Sequence, residues 1–112
     1  MKIRDIQKWE RNFSKKKGIA LDEETAKFIA ISKLVEEVGE TSKDLLEGNW
    51  KEIQAEVCDV IVFACKIANI AEKYHQAESL EKVFEKKLGY CETRKYNKKT
   101  KKLDKPKNSE FK

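Results

Sequence analysis

The sequence has few of the residues and motifs that mark common types of functional site. Of its 112 residues one is histidine and three are cysteine, and the cysteines form no CxxC pair. These residues support neither a Cys/His zinc site nor a disulfide framework, so we expect three reduced thiols. The sequence also has no glycine-rich phosphate loop, no Gly-x-Ser-x-Gly elbow and no internal repeat.

Long apolar segments are missing as well. The longest uninterrupted apolar run, Val60 to Cys65, is far shorter than the roughly 20 residues that a membrane span requires. No basic and apolar leader opens the chain, so we expect a cytoplasmic protein without membrane association. The chain is long enough for one compact domain and too short for two. A larger catalytic cavity would therefore need a second subunit.

Charge is abundant, and it is divided by region. Charged residues make up 40% and hydrophobic residues 39%, so a core can form only if apolar positions gather on narrow faces, which favours helices. Residues 34–59 hold eight acids against two lysines, whereas residues 86–112 hold eleven bases against three acids. An acidic region suits a bound cation, and a basic end suits phosphates or a solvated tail.

Apolar spacing and helix-breaking residues predict the first three helices. The first runs from residue 2 to about residue 17, where Gly18 stops it. The second is capped by Asp22 and follows one apolar stripe to the Gly48-Asn49 break. A glutamate follows Asn49 three positions later, which resembles a capping box, and the third helix then reaches about residue 73.

A fourth helix and a basic tail are predicted after a break near residues 74–78. The apolar pattern from Leu80 to Leu88 marks this helix, which fades near Asn97. From there the chain is rich in lysine and has almost nothing to bury, so we expect disorder. The predicted organisation is an all-α domain over residues 1–96 and a basic, disordered tail over residues 97–112.

Two acidic motifs lie in the predicted second and third helices. Glu37 and Glu40 are three residues apart, as are Glu56 and Asp59, and residues at this spacing lie on one side of a helix. Antiparallel packing of the two helices would bring the four carboxylates together. Such an oxygen-rich cluster suits Mg²⁺, with Mn²⁺ as a substitute.

Each motif also has an ordinary structural explanation. Glu37 and Glu40 lie roughly opposite the apolar stripe of the second helix, as the residues of a solvated face do. The third helix is apolar on every side around Asp59, so we expect this segment and Asp59 itself to be largely buried. A buried carboxylate needs a compensating partner. A metal ion is one solution, and a salt bridge to Lys33 or Lys66 is the other.

The two motifs in their context resemble a known enzyme superfamily. Lys33-Leu34-Val35-Glu36-Glu37-Val38-Gly39-Glu40, a spacer and then Glu56-Val57-Cys58-Asp59-Val60 are similar to the MazG-like, all-α nucleoside triphosphate pyrophosphohydrolases, over about residues 20–96. The resemblance implies a four-helix bundle completed by a homodimer or homotetramer. It also implies Mg²⁺-dependent hydrolysis of a (deoxy)nucleoside triphosphate between its α and β phosphates, with a role in nucleotide-pool housecleaning.

The resemblance further implies roles for individual residues. It makes Glu36 or Glu37 the candidate catalytic base. The implied metal ligands are Glu37, Glu40, Glu56 and Asp59. The candidates for substrate binding are Lys33, Phe63, Lys87 and Arg94. Phe63 also fits a core position, and the last two fit a solvated helix end. Cys91 stands where the family often has an asparagine, so we do not expect that phosphate contact here.

Other functions fit parts of the sequence. Phosphoribosyl-ATP pyrophosphohydrolase shares the short length and the paired acidic motifs, but the third helix lacks a histidine after its second motif. A nucleic-acid-binding helical module is suggested by the basic tail and opposed by the acidic middle of the chain. A non-catalytic helical oligomer is a third alternative, which the intact carboxylates oppose.

Overall fold

A computed structural model describes residues 1–19, 22–105 and 111 of the chain. It contains the helices α1 (Ile3–Lys17), α2 (Glu23–Glu47), α3 (Trp50–His75) and α4 (Leu80–Glu92). Two short strands follow, β1 (Tyr96–Asn97) and β2 (Lys102–Leu103). The chain divides into two compact units, Met1–Ala77 with α1 to α3 and Glu78–Lys112 with α4 and the strands. The predicted all-α fold is confirmed.

Local signals set most helix ends where the sequence predicts them. Gly18 and Gly48 end α1 and α2 in the left-handed region, at φ values of 67° and 73°, which a glycine adopts without a steric cost. The Asp22 carboxylate accepts a hydrogen bond of 2.8 Å from the Thr25 backbone N–H and so caps α2. The predicted break between the third and fourth helices lies at Gln76, which has a φ of 51° and follows the end of α3.

Two terminal details differ from the sequence-based expectation. Asn49 precedes α3, but its side-chain oxygen accepts no N–H of that helix, and its amide nitrogen donates to the carboxylates of Asp44 and Glu47 at the end of α2. The expected capping box is therefore wrong. The fourth helix ends at Glu92, before Asn97, and Thr93 closes it with its N–H bonded to the preceding turn.

A β-hairpin occupies the described part of the basic C-terminal segment. Tyr96 pairs with Leu103 and Asn97 with Lys102 in antiparallel register. The Asn97 side-chain oxygen accepts from the N–H groups of Lys99 and Thr100 and so closes the turn. The predicted disordered tail thus contains a hairpin in its first part. Residues 106–110 and 112, the rest of that predicted tail, lie outside the described residues.

Within the first unit, α1 and α2 both pack against α3. The contact between α1 and α3 is polar: Gln7, Glu10, Lys66 and Asn69 are all buried there. Asn69 donates to the Glu10 carboxylate at 2.7 Å and to the Gln7 carbonyl at 3.0 Å. Buried polar groups of this kind are stable only when they are hydrogen-bonded to one another, and these are.

The contact between α2 and α3 uses small side chains, and this leaves large ones outside. Ala26 and Ala30 are buried on α2, whereas Phe28 and Val35 are 70% and 64% exposed. The apolar stripe identified in the sequence therefore faces away from α3 in the single chain. The residues of this stripe are Phe28, Ile31, Val35, Val38 and Leu45. Among the described helices, none combines the length and apolar character that crossing a bilayer requires.

Candidate metal and active site

Three carboxylates from two helices converge in the first unit. Glu37 of α2 and both Glu56 and Asp59 of α3 each place one oxygen so that all three oxygens lie within 4.8 Å of one another. Glu37 follows Ala30 by seven residues, so it lies on the side of α2 that packs against α3. Glu56 and Asp59 share one side of α3 because they are three residues apart. Helix periodicity and helix packing together form this cluster.

Two of the three carboxylates are partly withdrawn from water without a donor to stabilise them. Glu37 and Glu56 are half-buried, and in each the Oε2 atom is buried and has no hydrogen-bond partner among the described residues. A buried carboxylate oxygen without a donor is costly, because it has lost its hydration and gained nothing in return. The negative charge of the cluster is therefore not compensated by any donor or cation among the described residues.

The charge in this cluster also perturbs ionisation. The pKa of Glu56 is raised from 4.5 to about 7. The largest cause is the Glu37 carboxylate, to which Glu56 can donate a hydrogen bond only when Glu56 is protonated, and partial burial adds to the shift. When both groups are ionised, neither can donate to the other. Glu40 acts on Glu56 in the same direction, although it is not part of the three-oxygen set. Without a cation, a proton relieves the repulsion among these carboxylates.

These observations fit a hard divalent cation. Carboxylate oxygens are the ligands that Mg²⁺ and Mn²⁺ prefer, and the cluster offers three of them at close range with a fourth beside Glu56. A cation would supply the charge that the orphaned oxygens of Glu37 and Glu56 lack. The residues present thus match the chemistry of a magnesium or manganese site.

Neither of the two lysines that the sequence offers as salt-bridge partners for Asp59 is paired with it. The Lys66 ammonium is paired with Glu10 at 3.1 Å, and Lys33 is paired with Glu36 at 3.2 Å. The expected burial of Asp59 is wrong, because its side chain is exposed. The segment around it is also more open than expected: Ile61 is 39% exposed, since α1 and α2 cover only part of the circumference of α3.

The solvated-face explanation for the second helix is also wrong for Glu37. Its carboxylate lies against α3, whereas the apolar stripe faces outward, and this reverses the arrangement expected of an isolated amphipathic helix. Glu36 and Glu40 remain exposed. Phe63 lies one turn after Asp59 on α3 and is half-buried.

The predicted phosphate-binding residues make contacts within the second unit. The Arg94 guanidinium donates to the backbone carbonyls of Leu103 at 2.6 Å and Asp104 at 3.0 Å, and so holds the hairpin to the end of α4. The Lys87 ammonium lies 4.8 Å from the centre of the Tyr90 ring and 4.6 Å from that of Phe111. Both residues therefore have structural partners, and their role toward a substrate stays a prediction.

The buried polar residues that join α1 and α3 are absent from the sequence-based predictions, apart from Lys66 as a candidate partner of Asp59. Gln7, Glu10 and Ser14 follow one another at spacings of three and four, and Lys66 and Asn69 are three apart. This is the same period that marks an apolar face. A search for polar residues at helical spacing would have found the set.

Comparison with known proteins agrees with the geometry. The family model described as the MazG nucleotide pyrophosphohydrolase domain matches residues 21–101. The chain belongs to the MazG family. The MazG match covers α2, α3 and α4, and so includes both acidic motifs and the whole carboxylate cluster. No curated protein and no solved structure gave a significant match. MazG membership indicates a nucleotide pyrophosphohydrolase in general terms.

Proposed function

We propose that the protein hydrolyses a (deoxy)nucleoside triphosphate between its α and β phosphates and releases a nucleoside monophosphate and pyrophosphate. The observation that carries the proposal is the convergence of Glu37, Glu56 and Asp59, two of which have buried oxygens without a donor. A highly charged triphosphate needs a cation at such a site, because carboxylates alone would repel it.

The proposed ligands of Mg²⁺ are Glu37, Glu56 and Asp59, with Glu40 as the fourth. When bound, Mg²⁺ neutralises phosphate charge and lowers the pKa of a water molecule. The chain itself supplies the proton acceptor, for which Glu36 and Glu37 are the candidates. Glu36 is half-exposed and held by Lys33, so it is accessible to water. Glu37 lies within the cluster. Either carboxylate can take a proton from a water molecule within hydrogen-bonding reach.

We further propose that the active form is a homodimer or homotetramer built on the apolar stripe of α2. Monomeric soluble proteins rarely expose contiguous apolar patches of this kind, and a second copy of the chain would cover the stripe. Housecleaning of the nucleotide pool is the proposed biological role.

Product analysis tests the proposed reaction. The protein is incubated with Mg²⁺ and a panel of canonical and modified nucleoside triphosphates, with phosphoribosyl-ATP as a separate substrate. We expect a monophosphate and pyrophosphate from at least one triphosphate. Release of a diphosphate and inorganic phosphate, or no turnover of any substrate, would contradict the proposal. Turnover of phosphoribosyl-ATP alone would favour the rival pyrophosphohydrolase.

Two active-site variants and a matched control assign the reaction to the cluster. Asp59→Asn and Glu56→Gln remove charge from it with little change in shape, and each should reduce turnover at least about 100-fold, the scale typical of losing a group that stabilises the reacting charge. Glu52→Gln changes an exposed glutamate of the same helix outside the cluster and should leave turnover intact.

A further inference from the structure

A concave site lies away from the carboxylates, at the junction of α1, the start of α2 and the end of α3. It is a cavity of about 480 Å³, which is within the range of small-molecule pockets. One wall of the cavity is apolar and is formed by Ile19, Ala26 and Ile70. Its polar lining includes Arg11, Lys15, Lys66, Asn69, Lys73 and Tyr74.

The balance of charge in this cavity is positive. Glu10 is the one acid among the described lining residues, and Lys66 already neutralises it at 3.1 Å. Hydrogen bonds from Ser14 and Asn69 complete the surroundings of that carboxylate. Three cations then remain without an ion-pair partner in the part of the chain that the structure describes. They are Arg11, Lys15 and Lys73.

The contacts of these three cations leave their charge available. Arg11 donates one hydrogen bond to the uncharged Asn69 side chain at 3.0 Å. A guanidinium has five N–H donors, so most of those of Arg11 have no acceptor within residues 1–19, 22–105 and 111. The Lys73 ammonium lies 5.0 Å from the centre of the Tyr74 ring, next to the cavity. Lys15 is exposed at its edge.

This cavity is separate from the carboxylate cluster. Lys66 and Lys73 follow Asp59 by seven and fourteen residues along α3, which corresponds to about 10 Å and about 21 Å of helix. A ligand held by the end of α3 would therefore not be in contact with the cluster. The charges of the two sites are also opposite, so the cluster needs a cation to hold a phosphate whereas the cavity does not.

Lysines in the last turn of a helix commonly stabilise the helix itself. Lys15 and Lys73 lie in the last turns of α1 and α3, where a cation offsets the negative end of the helix dipole. That role requires neither a cavity nor polar groups behind it. Here the cavity is lined behind these lysines by Lys66 and Asn69, each only 6% exposed. The dipole explains the position of the lysines and not the cavity that they border.

We infer that this cavity binds a small phosphorylated anion, with the phosphate held by Arg11, Lys15 and Lys73. Guanidinium and ammonium groups are the usual partners of phosphate oxygens, and the apolar wall can contact an organic part of the ligand. Inorganic phosphate and a nucleoside monophosphate share the recognised group. The organic part distinguishes them.

Isothermal titration calorimetry tests the inference with the whole chain. EDTA is present, so that no divalent cation contributes at the carboxylate cluster. The probes are AMP, inorganic phosphate and adenosine. We expect AMP to bind, adenosine to bind at least about tenfold more weakly, and AMP binding to weaken as salt is added. Stronger binding of AMP than of phosphate would assign a contact to the apolar wall, and equal binding would assign recognition to the phosphate alone.

Charge variants locate the site. Lys15→Gln combined with Lys73→Gln should weaken AMP at least about tenfold, a loss of about 1.4 kcal/mol. The pair Lys15→Arg and Lys73→Arg should retain binding. Lys8→Gln with Lys16→Gln, which removes two exposed α1 charges outside the cavity, should change little. The inference is overturned if no phosphorylated probe binds, if adenosine binds as well as AMP, or if the glutamine pair binds normally. A loss of AMP binding in Asp59→Asn would also overturn it, because the phosphate would then be held at the carboxylate cluster.

Discussion

The buried ion pair between Glu10 and Lys66 fixes how α1 is held to α3. Both side chains are only 7% exposed, so water screens their attraction weakly. Glu10→Gln keeps the size of the side chain and an oxygen that can accept hydrogen bonds, but it leaves the Lys66 ammonium buried without a counter-ion. Removing one partner of a buried pair typically costs 3–5 kcal/mol. We expect about 3 kcal/mol here, because the amide oxygen still accepts hydrogen bonds.

Thermal and urea unfolding measure this loss. A change of about 3 kcal/mol corresponds to a fall in Tm of about 12–24 °C for a domain of this size. Glu24→Gln is the matched control: it breaks the exposed Lys27–Glu24 pair, whose side chains are 54% and 84% exposed, and should cost less than about 1 kcal/mol. If the two variants were equally stable at pH 7, the buried pair would not hold α1 in place.

The pH dependence of this loss follows from the ionisation of Glu10. Burial alone would raise the pKa of Glu10, but hydrogen bonds from Ser14, Asn69 and Lys66, together with the Lys66 charge, lower it below its ordinary value of 4.5. Because the folded pKa is the lower one, the stabilisation is complete above pH 4.5 and is lost as the pH falls through the folded pKa. The difference between the parent and Glu10→Gln should therefore shrink in acid.

Three further predictions concern the cation, the assembly and the hairpin. The pKa of Glu56 is about 7 in the folded protein against 4.5 unfolded, so the cation-free protein should lose stability as the pH rises from 4.5 to 7. Because Mg²⁺ takes the place of the proton, it should raise Tm more at pH 8 than at pH 6. Equal gains in Tm at the two pH values would contradict this. Val35→Asp places a charge on the apolar stripe of α2 and should lower the mass measured by light scattering, whereas a parent that is already monomeric would refute the proposed assembly. Replacing the hairpin lysines by glutamine should leave triphosphate turnover unchanged, and a large loss would mean instead that these lysines contribute to binding the triphosphate. These lysines are Lys98, Lys99, Lys101 and Lys102.

Helix positions could be predicted from the sequence because their causes are local. Gly18 and Gly48 supply the left-handed conformation that ends a helix, and Asp22 supplies a cap that needs only the next turn of the chain. The failure at Asn49 is of the same local kind. The Asn49 amide nitrogen donates to the carboxylates of Asp44 and Glu47 on the preceding helix, and its oxygen makes no cap on α3.

The packing face of α2 could not be predicted in the same way. The period of the sequence locates an apolar stripe, but it does not say whether α3 or another molecule covers that stripe. In the single chain Ala26 and Ala30 face α3, since small side chains allow close approach, and Val35 is left outside. Packing through Ala26 and Ala30 also places Glu37 beside Glu56, so the geometry of the cluster depends on tertiary packing.

The partners of charged residues were equally inaccessible from sequence. Lys66 and Asp59 lie on one side of α3, two turns apart, and the sequence alone offers Lys66 as a salt-bridge partner for Asp59. Lys66 instead pairs with Glu10, 56 residues earlier in the chain. Spacing within α3 gives the direction in which the Lys66 side chain points. Its ion-pair partner is determined by the packing of α1 against α3.

Calorimetric titration of Mn²⁺ or Mg²⁺ into the cation-free protein tests most directly whether the carboxylate cluster is a metal site. We expect saturable binding that weakens at least about tenfold in Glu56→Gln and in Asp59→Asn, since each removes an oxygen ligand of full charge. Glu52→Gln should bind as the parent does. Equal binding by the parent and both cluster variants, or no binding by the parent, would contradict the assignment of Glu37, Glu56 and Asp59 as metal ligands.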